Sequence, residues 1–419
     1  MSNAPAAGGT YRMLFAVEHA KALLGWSVVA RLPLGMTALS LLLLARGEGA
    51  SYAAAGVVAA AYGLALAVGA PVAGRLVDRR GPHRILLRRA VVFPALLLVI
   101  VALALADAPL GAIVAASAAA GLAVPPVAPT VRSVWPRLVP GELRGAAYGL
   151  EASLQEVFFV TGPLLAAALC ALDPVGGVLG AATAALVGTL AVAWLQPVRE
   201  TSAAEVGGGG LLGALEARGV RVITGFALTV GLAFGTVEVA FPAFAEEHGA
   251  RELGGVALAA FSAGSFLGGI AVGSRVGGDP RRRFLGLAPM VGVGLALLAL
   301  AGSVPMLCVL AFVAGLPIAP TIAAAYLLID RVGRPWAIAE SFAWFGTAIM
   351  FGVAIGTALG GSLVDRLGVP AAFLVGALAA LVGWGLLVLR RGALDHDPAP
   401  PPSTLRSGAR SSGDRAADF

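Results

Sequence analysis

The sequence predicts an all-α membrane protein in which twelve transmembrane helices form two parallel repeats of six. Of its 419 residues, 58% are hydrophobic and 12% are charged, whereas a soluble domain is about 25% charged. Apolar runs of about 20 residues follow one another along the chain, and each is long enough to cross about 30 Å of hydrocarbon. Most of the chain is therefore expected to lie in lipid.

The helices follow from splitting the apolar runs at charged or Gly/Pro-rich gaps. We number them one to twelve, and they cover residues 22–45, 51–73, 85–106, 109–131, 146–171, 175–195, 221–245, 253–276, 284–303, 304–328, 337–363 and 369–389. The seam between helices nine and ten is marked only by Gly302, Ser303 and Pro305, without a charge. Loss of that break would leave eleven helices.

The basic residues predict the orientation of the chain. With the N-terminus inside, 25 of the 29 Lys and Arg residues fall on the cytoplasmic side. Arg46, Arg251 and Arg366 fall outside, and Arg31 lies within helix one. This is the bias of a multi-pass membrane protein. Since the near absence of lysine and the abundance of Ala and Arg indicate a GC-rich bacterial genome, we expect a bacterial inner-membrane protein with both termini in the cytoplasm.

Several classes of function are disfavoured. The Arg residues lie mostly in short gaps, where they set topology, so nucleic-acid binding is not expected. Lys21, the single lysine, follows no glycine-rich loop, which excludes a P-loop ATPase subunit. Cys170 and Cys308 lie in apolar runs without metal-ligand spacing, and the histidines form no hydrolase or metalloprotease motif. We expect neither an enzyme, nor a metal, nor a cofactor.

The chain divides into two helical bundles. Residues 1–195 and 221–391 form the N-terminal and C-terminal bundles, residues 196–220 form a flexible cytoplasmic linker, and residues 392–419 form a disordered cytoplasmic tail. The first apolar run is too long for a signal-peptide core and has no cleavage site, so it is expected to remain as helix one.

Three short patterns recur across the linker with offsets of 191, 194 and 200 residues. They are Ala128-Pro129-Thr130 with Ala319-Pro320-Thr321, Gly162 with Gly356, and Gly74-Arg75 with Ser274-Arg275. Their shared order argues for two six-helix halves. Because each half has an even number of helices, the repeats are parallel and related by an axis along the membrane normal.

The loop after helix two has the pattern Gly-x-Leu-x-Asp-Arg-x-Gly-x-basic, and its motif residues are Gly74, Asp78, Arg79, Gly81 and Arg84. It resembles the signature cytoplasmic loop of the major facilitator superfamily, and the resemblance covers all twelve helices. It implies two bundles that rock around a central cavity, with Asp78 as a gate residue and the Arg cluster holding the inside-closed arrangement. The alternative is a basic turn that only obeys the positive-inside rule.

Helix five carries a partial second motif. Gly162 and Pro163 match the antiporter motif Gly-x-x-x-Gly-Pro-x-x-Gly-Gly, but Phe158 replaces its first Gly and Ala166-Ala167 its last two. Proton-coupled drug antiporters usually also carry an Arg in helix four, which residues 117–120 lack. Proton antiport would therefore need another route.

Two charges lie deep in predicted helices. At about 1.5 Å per residue, Arg31 is about 13 Å into helix one and Glu156 about 15 Å into helix five. The family resemblance makes these helices neighbours, so we predict an Arg31–Glu156 pair. It could be a structural ion pair or a substrate or proton site.

Other polar candidates are few. Glu151 and Gln155 share a helical face, and Glu151 is predicted to pair with Arg132 or Arg144 rather than to bind substrate. Glu238 is near the outer mouth, where it could bind a proton or cation, or reach to water.

In the superfamily helices one, four, seven and ten line the cavity. Their remaining candidates are Trp26 as a stacking platform, Tyr326, and the hydroxyl groups of Ser27, Thr37, Thr130, Thr229, Thr236 and Thr321, which could instead bond their own helix. Such a sparse lining favours amphipathic cargo over sugars.

The leading hypothesis is a gradient-driven carrier that exports drugs or small amphipathic metabolites, by proton antiport, as a monomer in the lipid bilayer. The alternative is a sugar-like or other nutrient carrier, which polar groups converging at mid-membrane would favour. A membrane sensor without transport remains a further hypothesis, although such proteins usually carry an added soluble domain.

Overall fold

The computed structural model describes residues 7–203, 212–250, 253–273 and 278–395, and these form helices and connecting turns without a strand. The α-helices of this part are α1 (Ala7–Ala16), α2 (Ala20–Gly47), α3 (Tyr52–Arg80), α4 (Pro82–Leu105), α5 (Leu110–Ala123), α6 (Val127–Leu138), α7 (Gly141–Leu172), α8 (Gly176–Trp194), α9 (Gln196–Arg199), α10 (Arg218–Glu247), α11 (Gly254–Gly273), α12 (Pro280–Leu298), α13 (Val304–Gly315), α14 (Ile318–Val332), α15 (Ile338–Leu367) and α16 (Val369–Leu389).

These helices match the predicted spans. Eleven segments of the described chain are long and apolar enough to cross a membrane, with α5–α6 and α13–α14 each counted as one segment. Helix α12 stands at the position of predicted helix nine and raises the number to twelve. It falls outside the eleven because Arg281, Arg282 and Arg283 come directly after its first residue, which leaves too short an uncharged stretch.

The predicted seam before helix ten is confirmed. Helix α12 ends at Leu298 and α13 begins at Val304. The Ser303 Oγ atom accepts a hydrogen bond from the Met306 backbone N–H at 3.4 Å. A serine in this position caps a helix N-terminus, so the break that carries no charge is set by a capping residue.

Predicted helices four and ten are each broken in the structure, whereas the apolar runs predicted them as continuous helices. Helix α5 ends before Pro125-Pro126 and α6 begins after them, while Pro317 separates α13 from α14. Proline lacks a backbone N–H and clashes with the preceding turn. Both second half-helices open with the repeated Ala-Pro-Thr pattern, so the break itself belongs to the internal repeat.

Small residues bring the long helices together within each half. A Cβ atom on Gly162 of α7 would lie 2.8 Å from the Gly35 Cα atom of α2. In the other half, a Cβ atom on Gly356 of α15 would lie 2.1 Å from the Leu232 carbonyl oxygen of α10. Close approach at glycines is the usual packing of membrane helices, and it occurs at matching helices of the two repeats.

The segments outside the bundles are partly described. Helix α1 was not predicted, and its Tyr11 hydroxyl donates to the Ile270 carbonyl oxygen of α11 at 2.9 Å. The predicted linker contains α9 and a 3-10 turn at Gly213–Glu216. Residues 204–211, most of the predicted tail (396–419), Arg251, and Ser274-Arg275 of the predicted repeat lie outside the described residues.

Candidate functional site

The two halves contact each other at the end of the bundle that carries the α3–α4 turn and the beginnings of α7 and α15. We call it the basic end. There both Asp78 carboxylate oxygens accept backbone hydrogen bonds at the start of α15, from Ala339 at 3.0 Å and Glu340 at 2.8 Å. A carboxylate at a helix N-terminus satisfies free N–H groups and complements the helix dipole. The predicted gate residue therefore joins the two halves.

The rest of the predicted loop motif surrounds this contact. A Cβ atom on Gly74 would lie only 2.7 Å from the Ala339 carbonyl oxygen, so α3 and α15 approach closely here. Arg79 is exposed and interacts electrostatically with Glu340. Gly81 has a φ of +80° and turns the chain from α3 into α4, a conformation that favours glycine. Arg84 is exposed on the first turn of α4.

A second contact between the halves joins α7 to α11. The Ser153 hydroxyl donates to the Phe266 carbonyl oxygen at 3.1 Å. Farther along, the Glu156 carboxylate accepts a hydrogen bond from the Ser265 hydroxyl at 2.9 Å. A Cβ atom on Gly149 would lie 2.7 Å from the Gly273 Cα atom. The basic end is thus closed along two helix pairs.

A third contact is an ion pair. The Arg144 guanidinium group at the beginning of α7 donates to the Asp330 carboxylate of α14 at 3.0 Å. Arg144 also donates to the Pro136 carbonyl oxygen at 2.8 Å. Because Arg144 belongs to the N-terminal half and Asp330 to the other, this pair also holds the basic end together.

A buried ion cluster lies beside these contacts, and we define the Arg31 cluster as Arg31, Arg132, Trp135 and Glu151. The Glu151 Oε1 atom accepts from Arg31 and from Arg132, each at 2.9 Å, and its Oε2 atom accepts from the Trp135 indole at 2.9 Å. The side chains of Arg31, Arg132 and Glu151 are 2%, 5% and 0% exposed. Charged side chains that are buried this completely need partners of opposite charge.

The cluster corrects one prediction and confirms part of another. The predicted Arg31–Glu156 pair is wrong, since Arg31 binds Glu151 instead. Five residues turn a helix by about 140°, so Glu151 faces α2 while Glu156 faces α11. The predicted Arg132–Glu151 pair is confirmed, whereas Arg144 binds Asp330.

The central cavity lies between the halves, one turn beyond Gly74, and has a volume of about 180 Å³. Of its 23 lining residues, five carry polar side chains. They are Arg89, Arg132, Gln155, Tyr326 and Thr347. Four of the lining residues are phenylalanines, namely Phe158, Phe159, Phe342 and Phe345.

Three of these side chains form one polar corner of the cavity, defined here as Arg132, Gln155 and Tyr326. The Gln155 amide oxygen accepts from Arg132 at 3.3 Å and from the Tyr326 hydroxyl at 3.4 Å. The Arg132 guanidinium carbon lies 4.0 Å from the centre of the Tyr326 ring, within the range of a cation–π interaction. The predicted candidates Gln155 and Tyr326 therefore come together.

Other predicted candidates lie elsewhere. Trp26 is 40% exposed and is not among the residues that line this cavity. Glu238 is exposed on α10 and Glu156 lies at the α7–α11 contact. The hydroxyl groups of Ser27, Thr37, Thr229, Thr236 and Thr321 donate to carbonyl oxygens of their own helix turns. They satisfy backbone groups and leave the cavity apolar.

Arg89 and Arg132 line the cavity, although neither was predicted from the sequence as a cavity residue. Arg132 comes one residue after predicted helix four and Arg89 near the beginning of predicted helix three, so both were assigned to the cytoplasmic side as topology-determining residues. The proline pair at 125–126 was the available signal, since a new helix after it carries Arg132 inward. The Arg89 guanidinium group donates to the carbonyl oxygens of Leu122 and Val124 at 2.7 and 2.8 Å, at the end of α5.

Two helical bundles that surround a cavity and meet at one end define a membrane carrier. The family model of the Major Facilitator Superfamily matches residues 23–278 and 223–414. The chain belongs to this superfamily. No curated protein sequence matches it at a significant level.

Solved structures share this fold at low identity. A bacterial homologue of the iron transporter ferroportin, in an outward-facing state, is 14% identical with a TM-score of 0.71, over 88% of this chain and 98% of that one. The E. coli fucose:proton symporter FucP is 14% identical with a TM-score of 0.68, over 90% and 99%. The human organic anion transporter MFSD10 is 16% identical with a TM-score of 0.61, over 90% and 99%. Such identities show the fold alone.

Proposed function

We propose that this transporter exports small amphipathic molecules through the central cavity in exchange for protons, with its basic end toward the cytoplasm. The observation that carries the proposal is the lining of the cavity, where 18 of 23 residues have no polar side chain and the polar corner occupies one side. Sites for amphipathic ligands combine a mostly apolar wall with a few placed polar groups.

The same lining argues against the sugar-like alternative. A sugar brings several hydroxyl groups into the site, and each one left without a partner costs about 1–3 kcal/mol. The five polar side chains of the cavity include two arginines, one of which already binds backbone carbonyls. The structural neighbours carry different cargoes by their descriptions, so shared fold does not select among substrates.

Glu156 supplies the proposed proton step. It lies where α7 meets α11, and among the described residues no Arg, Lys or His forms an ion pair with it. A carboxylate without a cation is costly to ionise inside a membrane. When the two halves part and water enters, Glu156 can release its proton, which links proton movement to the opening of the α7–α11 contact.

Transport in proteoliposomes with an imposed pH gradient tests this proposal, using a panel of amphipathic dyes and sugars. We expect the wild type to move dye only with the gradient and Glu156→Gln, which cannot ionise, to lose the gradient-driven flux. The matched control is Glu142→Gln, the same change at an exposed position of α7, which should transport as the wild type does. Sugar flux that survives in Glu156→Gln, together with immobile dyes, would favour the nutrient carrier.

A further inference from the structure

The charged side chains that line the central cavity are both arginines. Arg89 and Arg132 are among the 23 lining residues, and no Asp or Glu is. Arg132 also belongs to the Arg31 cluster, whose two arginines and single glutamate sum to +1 (two positive charges and one negative). The wall of the cavity therefore holds an excess of positive charge.

The nearby carboxylate cannot remove this excess. Both Glu151 oxygens are already engaged by three donors, from Arg31, Arg132 and Trp135. The Arg31 Nε atom is buried and has no hydrogen-bond partner. An uncompensated charge in a low-dielectric interior is unfavourable, and an anion in the cavity would reduce that cost.

Helix α6 adds to the same potential. Its first residues follow Pro126, and Pro126, Ala128 and Pro129 all line the cavity. The N-terminal end of a helix carries about half a positive charge, and broken membrane helices direct such ends toward anionic groups of substrates. Because α6 also carries Arg132, the helix end and the guanidinium group act on the same side of the cavity.

The volume and the remaining lining indicate what can accompany the anionic group. The cavity volume is about 180 Å³, and an engineered apolar cavity of about 150 Å³ holds a benzene molecule. Phe158, Phe159, Phe342 and Phe345 can contact an aromatic ring. A single ring with one carboxylate fits this combination of volume, aromatic surface and charge.

We propose that the central cavity binds small amphipathic monoanions of the aromatic carboxylate class, with the carboxylate beside Arg132 and the ring against the phenylalanines. The proposal rests on the proposed function, in that this cavity is the one through which cargo moves. It narrows the range of cargo from amphipathic molecules in general to anions, because the same positive charges would exclude a cationic amphiphile of the same size.

A ligand series on the wild-type protein tests the charge preference without any substitution. Benzoate, benzyl alcohol and benzylamine share a ring and differ in charge, and calorimetry on purified protein measures their affinities. We expect benzoate to bind at least about tenfold more tightly than the other two, since hydrogen bonds to charged groups are the strong ones. Equal or tighter binding of benzylamine or benzyl alcohol overturns the inference and leaves amphipathic transport standing. If none of the three binds, the inference fails, and the dye-flux assay alone judges the proposed function.

Two variants test which residues cause the preference for the anionic ligand. In Arg132→Gln we expect benzoate affinity to fall by about ten- to a hundredfold, with benzyl alcohol affinity unchanged. Because Arg132 also binds Glu151, Arg89→Gln serves as a second variant, since the partners of the Arg89 side chain are backbone carbonyls. We expect it to lower benzoate affinity several-fold. Arg88→Gln makes the same change at an exposed neighbouring position and should bind as the wild type does. Unchanged benzoate affinity in both folded cavity variants overturns the proposal.

Discussion

The substitution Glu151→Gln is expected to cost about 3–5 kcal/mol of stability, because it leaves two buried arginines without their counter-charge. Glu151 is 0% exposed and accepts from Arg31 and Arg132 at 2.9 Å each. The net charge of the Arg31 cluster would rise from +1 to +2 among side chains that are at most 5% exposed. We expect a large fall in the apparent melting temperature in detergent and a lower yield of monodisperse protein.

Two further variants separate loss of charge balance from loss of packing. Glu142→Gln makes the same change at an exposed position of α7 and should melt like the wild type. The double variant Arg132→Gln/Glu151→Gln keeps the net charge of the cluster at +1, so it should recover part of the stability lost in Glu151→Gln. Together with the single variant Arg132→Gln, it completes a double-mutant cycle that isolates the pair interaction. A Glu151→Gln protein that melts with the wild type would show that the cluster contributes no net stability.

The second large effect is expected from Gly74→Val, which should open the basic end. A Cβ atom at Gly74 would lie 2.7 Å from the Ala339 carbonyl oxygen and 2.9 Å from the Ala343 Cβ atom. Overpacking of this kind costs about 1–3 kcal/mol. Because only the closed arrangement pays that cost, the ratio of closed to open molecules should fall by about 5- to 150-fold.

The opening can be measured as the distance between two spin labels in a protein whose Cys170 and Cys308 are replaced by serine. The labels are attached to cysteines introduced at Glu142 and Arg282, which are exposed positions on the two halves at this end. Gly74→Val should populate a longer distance between the labels. Gly63→Val is the matched control, because a Cβ at Gly63 of the same helix meets nothing within 4 Å. Identical distance distributions in the two variants would contradict the assignment of the α3–α15 contact as the gate.

One helix, α7, takes part in the gate, in the Arg31 cluster and in the cavity. Helix α7 carries Arg144 for the inter-half ion pair, Glu151 for the Arg31 cluster and Gln155 for the polar corner. Successive turns of α7 therefore contribute to the gate, to the stability of the N-terminal half and to the cavity. A substitution on α7 has to be interpreted by the face that it lies on, which the controls above take into account.

The sequence alone determined the number and the order of the membrane helices. Both follow from features that depend only on position along the chain. These features are the apolar runs, the distribution of arginines and the loop of residues 74–84. Even the seam at Ser303, which carries no charge, was predicted from Gly302, Ser303 and Pro305. The resemblance of the loop also led to the superfamily and to Asp78 as a residue of the contact between halves.

Only the tertiary structure decided which side chains meet. Counting residues gives the depth of Arg31, Glu151 and Glu156 in the membrane, and by depth alone the pair Arg31–Glu156 is reasonable. It does not give the rotation of α7 against α2 and α11, which is set by close packing at small residues such as Gly35 and Gly162. Likewise, the entry of Arg132 into the cavity depends on a helix break and on neighbours far away in the chain. The depth of a residue in the membrane follows from its position along the sequence, whereas the helix that its side chain faces depends on how the bundle packs.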